Sequence, residues 1–306
     1  MLAGAMLVWF TLTAASTIFV IWDSFTNGVT SWVQRIAWIL VTFYAGPVGL
    51  FFYLMACRRP FPGGHDIYIR PLWKQAVNSE MHCLAGDATG VMVAAAVVPL
   101  LHLSNGWDMT IEYLAGFVSG LFIFQALMMR GMYGGDYLKA VRKTFFAETV
   151  SMNMVMTGMI PVMIMLEAAW PRSEHSLNPE FWFRMGLATI VGGIIGFPIN
   201  YWLVKNHLKH GAMTLPGADG PAPQLGHSPM ETAMAAGAET ASAMDMSMPE
   251  YRQTLVPDMP MEDGPMAGMQ MRELPLGQAL AWIAGTYVVL ACALILTAQI
   301  TPITFQ

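Results

Sequence analysis

The chain has 306 residues, of which 55% are hydrophobic and only 11% charged, with a formal net charge of −5 and a mean hydropathy of +0.49. A soluble domain carries about 25% charge, so this balance excludes a soluble protein. The clustered basic residues follow membrane topology and anionic lipid, and no nucleic-acid partner is implied.

Seven apolar runs of about 20 residues are each long enough to cross a bilayer. They lie near Gly4–Trp22, Val33–Ala56, His82–Leu103, Ile111–Met129, Ala147–Trp170, Trp182–Val204 and Gly277–Ile300. Backbone groups have no water partners in lipid, so the runs are helices. The expected fold is all-α, a polytopic transmembrane bundle of about seven helices. The first run lacks a basic n-region and reads as a retained helix rather than a signal peptide. Arg58, Arg59, Arg70 and Lys74 follow the second run; Arg130, Lys139, Arg142 and Lys143 follow the fourth; Lys205 and Lys209 follow the sixth. Arg35 and Arg184 stand at helix starts. The positive-inside rule then predicts an inner (plasma) membrane protein with a cytoplasmic amino terminus and an outside carboxyl terminus.

Residues 214–276 form a Met-rich stretch with no apolar periodicity, expected to be a disordered loop with short helices near Glu231–Ala243. Cys57, Cys83 and Cys292 are too few and too scattered for a disulfide framework; Cys57, beside Arg58-Arg59, is a candidate for palmitoylation or an idle thiol. The small-xxx-small spacings Gly86…Gly90, Gly116…Gly120 and Gly192…Gly196 are helix-packing signals.

Polar residues concentrate at one level. In the expected spans, His82, Cys83 and Asp87 lie in the first turns of the third helix, Gln125 near the end of the fourth, Glu148, Ser151 and Asn153 in the first turns of the fifth, and Asn200 near the end of the sixth. Alternating helix direction places all of them in one half of the membrane. Glu80, Cys83 and Asp87 share a helical face by i, i+3 and i+4 spacing, with His82 a quarter-turn away. Two readings follow: an ion or substrate site at a bundle mouth, or a buried hydrogen-bond network joining helices. Asn200 after Pro198 is expected to cap backbone freed by the proline.

Methionine occurs 27 times. Met152, Met156, Met159 and Met163 form one helical stripe, either soft-metal ligands or flexible core filler. In the polar stretch, Met244, Met246 and Met248, Met259 and Met261, and Met266, Met269 and Met271 form thioether clusters, joined by the imidazoles of His207, His210 and His227. Closely spaced thioethers resemble those of copper-resistance proteins and suit Cu(I); compositional drift or an oxidation sink is the competing reading.

The stretch Tyr137-Leu-Lys-Ala-Val-Arg-Lys-Thr-Phe-Phe-Ala-Glu-Thr-Val-Ser, the stretch Phe197-Pro-Ile-Asn-Tyr-Trp-Leu-Val-Lys-Asn-His-Leu-Lys-His-Gly and the set His82-Cys83…Gly86-Asp87…Gly90 resemble a prokaryotic membrane family, domain of unknown function 4396. The resemblance covers about Gln75 to Met213. It implies a helical membrane domain and no particular activity. A second Cys often stands in that family near the position of Gly86 or Asp87; its absence here weakens a two-thiol metal or redox site. The chain then divides into a two-helix hairpin with a basic loop (1–74), a four-helix family-like domain (75–213), the Met-rich loop (214–276) and a final helix (277–306).

No Walker A, GxGxxG, GxSxG, HExxH or CxxCH motif occurs, so an enzyme is the less favoured reading. The leading expectation is a protein that binds or transports a soft transition metal, copper above all. Its expected ligands are His82, Cys83, Asp87, Met152, Met156, Met244, Met246, Met248, Met269 and Met271, with Glu148, Asn153 and Asn200 as a further polar cluster. The alternatives are a membrane scaffold or assembly factor that recruits a membrane protein partner, and a transporter or intramembrane enzyme for another substrate using Asp87 and Glu148. The lipid bilayer is the partner common to all three.

Overall fold

The computed structural model describes residues 2–26, 32–58, 68, 71–211 and 271–304. These are helical, and no strand occurs among them. The helices are α1 (Leu2–Thr26), α2 (Trp32–Ala45), α3 (Pro47–Phe52), α4 (Leu72–Val97), α5 (Asn105–Val118), α6 (Tyr137–Ala169), α7 (Pro179–Lys205) and α8 (Leu276–Ala298). From Val118, α5 continues through a π-helical stretch, Ser119–Gln125, to Met129. Among the described residues, six helices are long and apolar enough to cross a membrane. The chain is therefore an integral membrane protein. The Met-rich segment, with His227, Met244, Met246, Met248, Met269 and the expected helix near Glu231–Ala243, lies outside the described residues, as does Arg59.

The second expected span is not one helix. Gly46 adopts φ +57°, a left-handed value that favours glycine, and Pro47 starts the next helix without an N–H to continue the first. Residues 32–57 thus form α2, α3 and a π-helical turn, Tyr53–Cys57. The piece is held internally. Asn78 on α4 accepts from Gln34 Nε2 and Trp38 Nε1, both at 3.2 Å, and donates to Ala56 O at 2.9 Å. Asp23, fully buried at the end of α1, accepts from Tyr53 Oη at 2.9 Å and from Arg58 Nε at 3.1 Å. Cys57, at the end of the π-helical turn, is buried, which disfavours its palmitoylation.

Two expected helix starts move. α4 begins at Leu72 and α6 at Tyr137, about ten residues before the apolar runs. His82, Cys83, Asp87 and Glu148 consequently sit in the third turn or beyond rather than in the first turns. Both helices open with polar turns that hydropathy does not count; those of α4 are buried from Ala76 onward, whereas Lys139, Arg142 and Lys143 of α6 are exposed. Asp136 caps α6 by accepting from Lys139 N at 3.0 Å.

The small-xxx-small glycines do lie at close helix approaches. A Cβ on Gly86 would meet Gly120 Cα at 2.9 Å, and one on Gly90 would meet the Ala115 carbonyl and Gly116 Cα. α4 and α5 therefore touch backbone to backbone through two glycine pairs. α7 meets α6 the same way, with Gly158 opposite Gly192. These contacts bring the polar residues of α4, α5, α6 and α7 to one level. The methionine stripe is core: Met152, Met156, Met159 and Met163 are all buried with Leu84, Val91, Met92 and Met185.

Candidate functional site

The site is a buried polar cluster inside the bundle. α4 contributes Glu80, His82, Cys83 and Asp87; the π-helical stretch after α5 contributes Gln125; α6 contributes Glu148 and Ser151; α7 contributes Asn200. Glu80, Asp87, Glu148, Ser151 and Asn200 are wholly inaccessible to solvent. The convergence expected from alternating helix direction is present.

Asp87 and Glu148 face one another across Gly120. A Cβ there would overlap both Asp87 Oδ1 and Glu148 Oε1, so only glycine leaves room for the pair. Neither Asp87 oxygen nor Glu148 Oε1 has a hydrogen-bond partner, so two buried acids share this small space uncompensated by a donor at those atoms. The Cys83 thiol donates to Glu148 Oε2 at 3.3 Å. His82 packs edge-on against Phe124 at 5.8 Å beside Gln125, and its Nε2 has no hydrogen-bond partner. Both Glu80 oxygens also lack one. Asn200 Nδ2 donates to Gly196 O at 3.2 Å.

The residue that sequence reasoning missed is Lys209. It counts in the sequence as a topological lysine beyond the sixth span. In the structure His207 takes φ +57°, the chain turns back, and Lys209 enters the bundle with 4% exposure. Its Nζ donates to Ser151 Oγ at 3.1 Å and to Asn200 Oδ1, and faces the Cys83 thiol. Burial works against the ammonium. The facing Cys83, Glu148 and Glu80 groups outweigh that cost and hold its pKa above the ordinary lysine value. Asn200 is thus an acceptor for Lys209 and Ser151, and the carbonyl to which it donates is not Ile194 O, the one that Pro198 frees. Asn153 stands apart from the cluster: its Oδ1 accepts from Tyr113 Oη at 2.7 Å and its Nδ2 donates to Thr286 Oγ1 at 3.0 Å, tying α6 to α5 and α8.

Next to Lys209, burial pushes the His210 pKa down to about 4 from 6.5. A histidine whose folded pKa is depressed is protonated more readily in the unfolded chain, so stability falls as pH drops from 6.5 toward 4 and levels off below. The His210→Gln variant should show a shallower decline over that window, by up to about 3 kcal/mol. Thermal melts of both proteins at matched pH values measure it.

A second polar group occupies the other end of the same helices. Arg184, its side chain 3% exposed, pairs with Glu167; together with Asp108, Glu112 and Glu174 they line a cavity of about 310 Å³. One face of α6 joins the two ends: Glu148, Met152, Met156, Met159, Met163 and Glu167 recur at spacings of four and three residues. The two carboxylates are about 28 Å apart along the axis, close to the thickness of a bilayer core. Met163 and Glu167 line the cavity. Among the described residues, no three His, Cys, Asp or Glu side chains are placed to hold one metal ion. His82, Cys83 and Asp87 therefore make no ready metal centre by themselves.

Fold and site define a polytopic helical membrane protein with an acid–lysine cluster inside its bundle. Residues 72–209 match the family described as Domain of unknown function (DUF4396), and the match runs from the first residue of α4 to Lys209 itself. That segment carries four helices, α4 to α7, and every member of the cluster. No curated protein and no solved structure matches the chain.

Proposed function

We propose that the protein carries a small cation across the membrane, with Asp87 and Glu148 as the binding pair. One observation supports this above the others. Three buried carboxyl groups, Glu80, Asp87 and Glu148, face one buried ammonium, Lys209. Charge in a low-dielectric interior is costly unless compensated, so the surplus acids must hold protons or a cation. Exchanging one for the other is the elementary step of a cation carrier. Lys209 then acts as a tethered counter-cation that keeps the cluster stable when no cargo is present.

The identity of the cargo is favoured by the α6 face. Four buried thioethers lie between the two polar ends on α6, and thioether sulfur suits a soft monovalent metal such as Cu(I) better than a hard cation. We place the protein in the inner (plasma) membrane with its amino terminus inside, on the bias of Lys74, Arg130, Lys139, Arg142 and Lys143 toward one side. Lys209 does not count toward that bias.

The test uses the full chain in proteoliposomes, with internal pH and Cu(I) accumulation followed together. Uptake that falls at least tenfold in Asp87→Asn and in Glu148→Gln is the expected result. Rates unchanged in both variants would refute the reading. Proton movement without copper movement would retain the carrier and remove the soft metal.

A further inference from the structure

We infer that the cavity beside Arg184, at the carboxyl-terminal end of α6, is a second site for a soft monovalent cation, held by the thioethers of Met109 and Met163. This second site rests on the carrier reading only for its role, as the place where cargo joins or leaves the α6 face. Two helices bring the same pair of groups to the cavity. α5 supplies Met109 and Glu112, three residues apart, and α6 supplies Met163 and Glu167, four apart, so each pair shares one helical face. All four residues line the cavity. The Glu167 side chain is 43% exposed, so the cavity reaches the surface there. Met163 is 5% exposed and is the last member of the buried methionine stripe.

The acids by themselves define no ligand. They are too dispersed: among the described residues, no three His, Cys, Asp or Glu side chains stand where they could hold one metal ion. A hard divalent cation takes about six or more oxygens in one shell and finds no such shell here. The two sulfurs narrow the choice, because a thioether is a soft, neutral ligand that selects Cu(I) or its redox-inert analogue Ag(I). The carboxyl groups supply what neutral sulfur cannot, compensation of the ion's charge. One guanidinium, Arg184, stands among four acids and pairs with Glu167. The surplus negative charge concentrates cations in the cleft. Two buried polar atoms of the lining, Asp108 Oδ1 and Arg184 Nε, have no hydrogen-bond partner, so the group does not close into a network of its own.

The probe is Ag(I), added to the full chain in lipid nanodiscs with its methionine methyl groups labelled with carbon-13. Each methyl resonance reports its own sulfur, so silver held elsewhere in the chain does not obscure the result. The Met109 and Met163 signals, assigned from Met109→Leu and Met163→Leu, are expected to shift together, and Mg(II) should move neither. Leucine keeps the volume nearly constant, and each substitution should abolish the shift at the other methionine of the pair. Glu112→Gln should raise the silver concentration needed by about tenfold or more. Asp87→Asn should leave the paired shift unchanged, which separates this site from the acid pair at the other end. Signals that stay in place in Ag(I), or a Met163 shift that survives Met109→Leu at the same silver concentration, would overturn the proposal. Paired shifts in a protein whose uptake is indifferent to Asp87→Asn would uphold the site and refute the carrier reading alone.

Discussion

Lys209→Met is expected to destabilise the purified protein by about 3–5 kcal/mol at neutral pH, the usual cost of removing one partner from a buried charge group. The methionine fills a similar volume, so packing is nearly conserved and the loss is electrostatic. Ser151 and Asn200 lose the donor they share, and three carboxyl groups lose the buried ammonium they face. The deficit should shrink on acidification, because protons then supply what the ammonium did. Adding Glu148→Gln to Lys209→Met should recover a large part of the loss, since the pair is coupled and effects of touching residues do not add. Detergent-solubilised melts of the four proteins across pH give the cycle. A deficit that does not vary with pH and is not relieved by Glu148→Gln would mean that Lys209 is a packing element only.

Gly90→Val is expected to be the most damaging single substitution away from the charged groups, costing about 3 kcal/mol or more. A side chain at this position points into the Ala115 carbonyl and lies 2.7 Å from Gly116 Cα. Both neighbours are helix backbone, so no rotamer change relieves the overlap and α4 must move away from α5. That movement also opens the Gly86–Gly120 contact one turn along, where Asp87 and Glu148 meet. Stability and cation uptake should therefore fall together. Gly193→Ala is the contrasting case: its added carbon meets only Leu84 Cδ2, at 3.2 Å, and a flexible side-chain end can yield. Yields and melting temperatures of the two variants compare these expectations. Near-equal stability would show that the α4–α5 approach is not tight.

The existence of the helices was readable because lipid imposes a length and forbids unpaired backbone. Where they begin was less so. Lys74, Asn78 and Glu80 make the first turns of α4 look like a loop to any hydropathy window, yet Asn78 is bonded by Gln34 and Trp38, groups far away in sequence. The break in the second span was signalled by Gly46-Pro47, but an apolar run of sufficient length masks such a dipeptide. In the site, alternating helix direction located Asp87, Glu148 and Asn200 together, because direction is set by the span count and needs no side-chain detail. Lys209 was out of reach of that logic. Its place depends on one left-handed residue, His207, that folds the chain back after α7. Glu112, Glu167 and Arg184 stood near run ends, where a charge is normally solvated, and only the fold reveals their shared cavity.

Gly46 divides the second span along one wall of an apolar crevice of about 310 Å³. Val41 and Ala45 line it before the break and Val48, Gly49 and Phe52 beyond it, while Val77, Leu84, Ile190 and Phe197 come from the segment 72–209. One wall of the crevice and the rest of it are thus specified by different stretches of the gene. The broken span is a seam at which the amino-terminal hairpin can vary while the helical domain keeps its own side of the crevice and its buried charges. Grafting residues 1–58 of a related chain onto this domain would exchange that one wall and leave the charge cluster as it is.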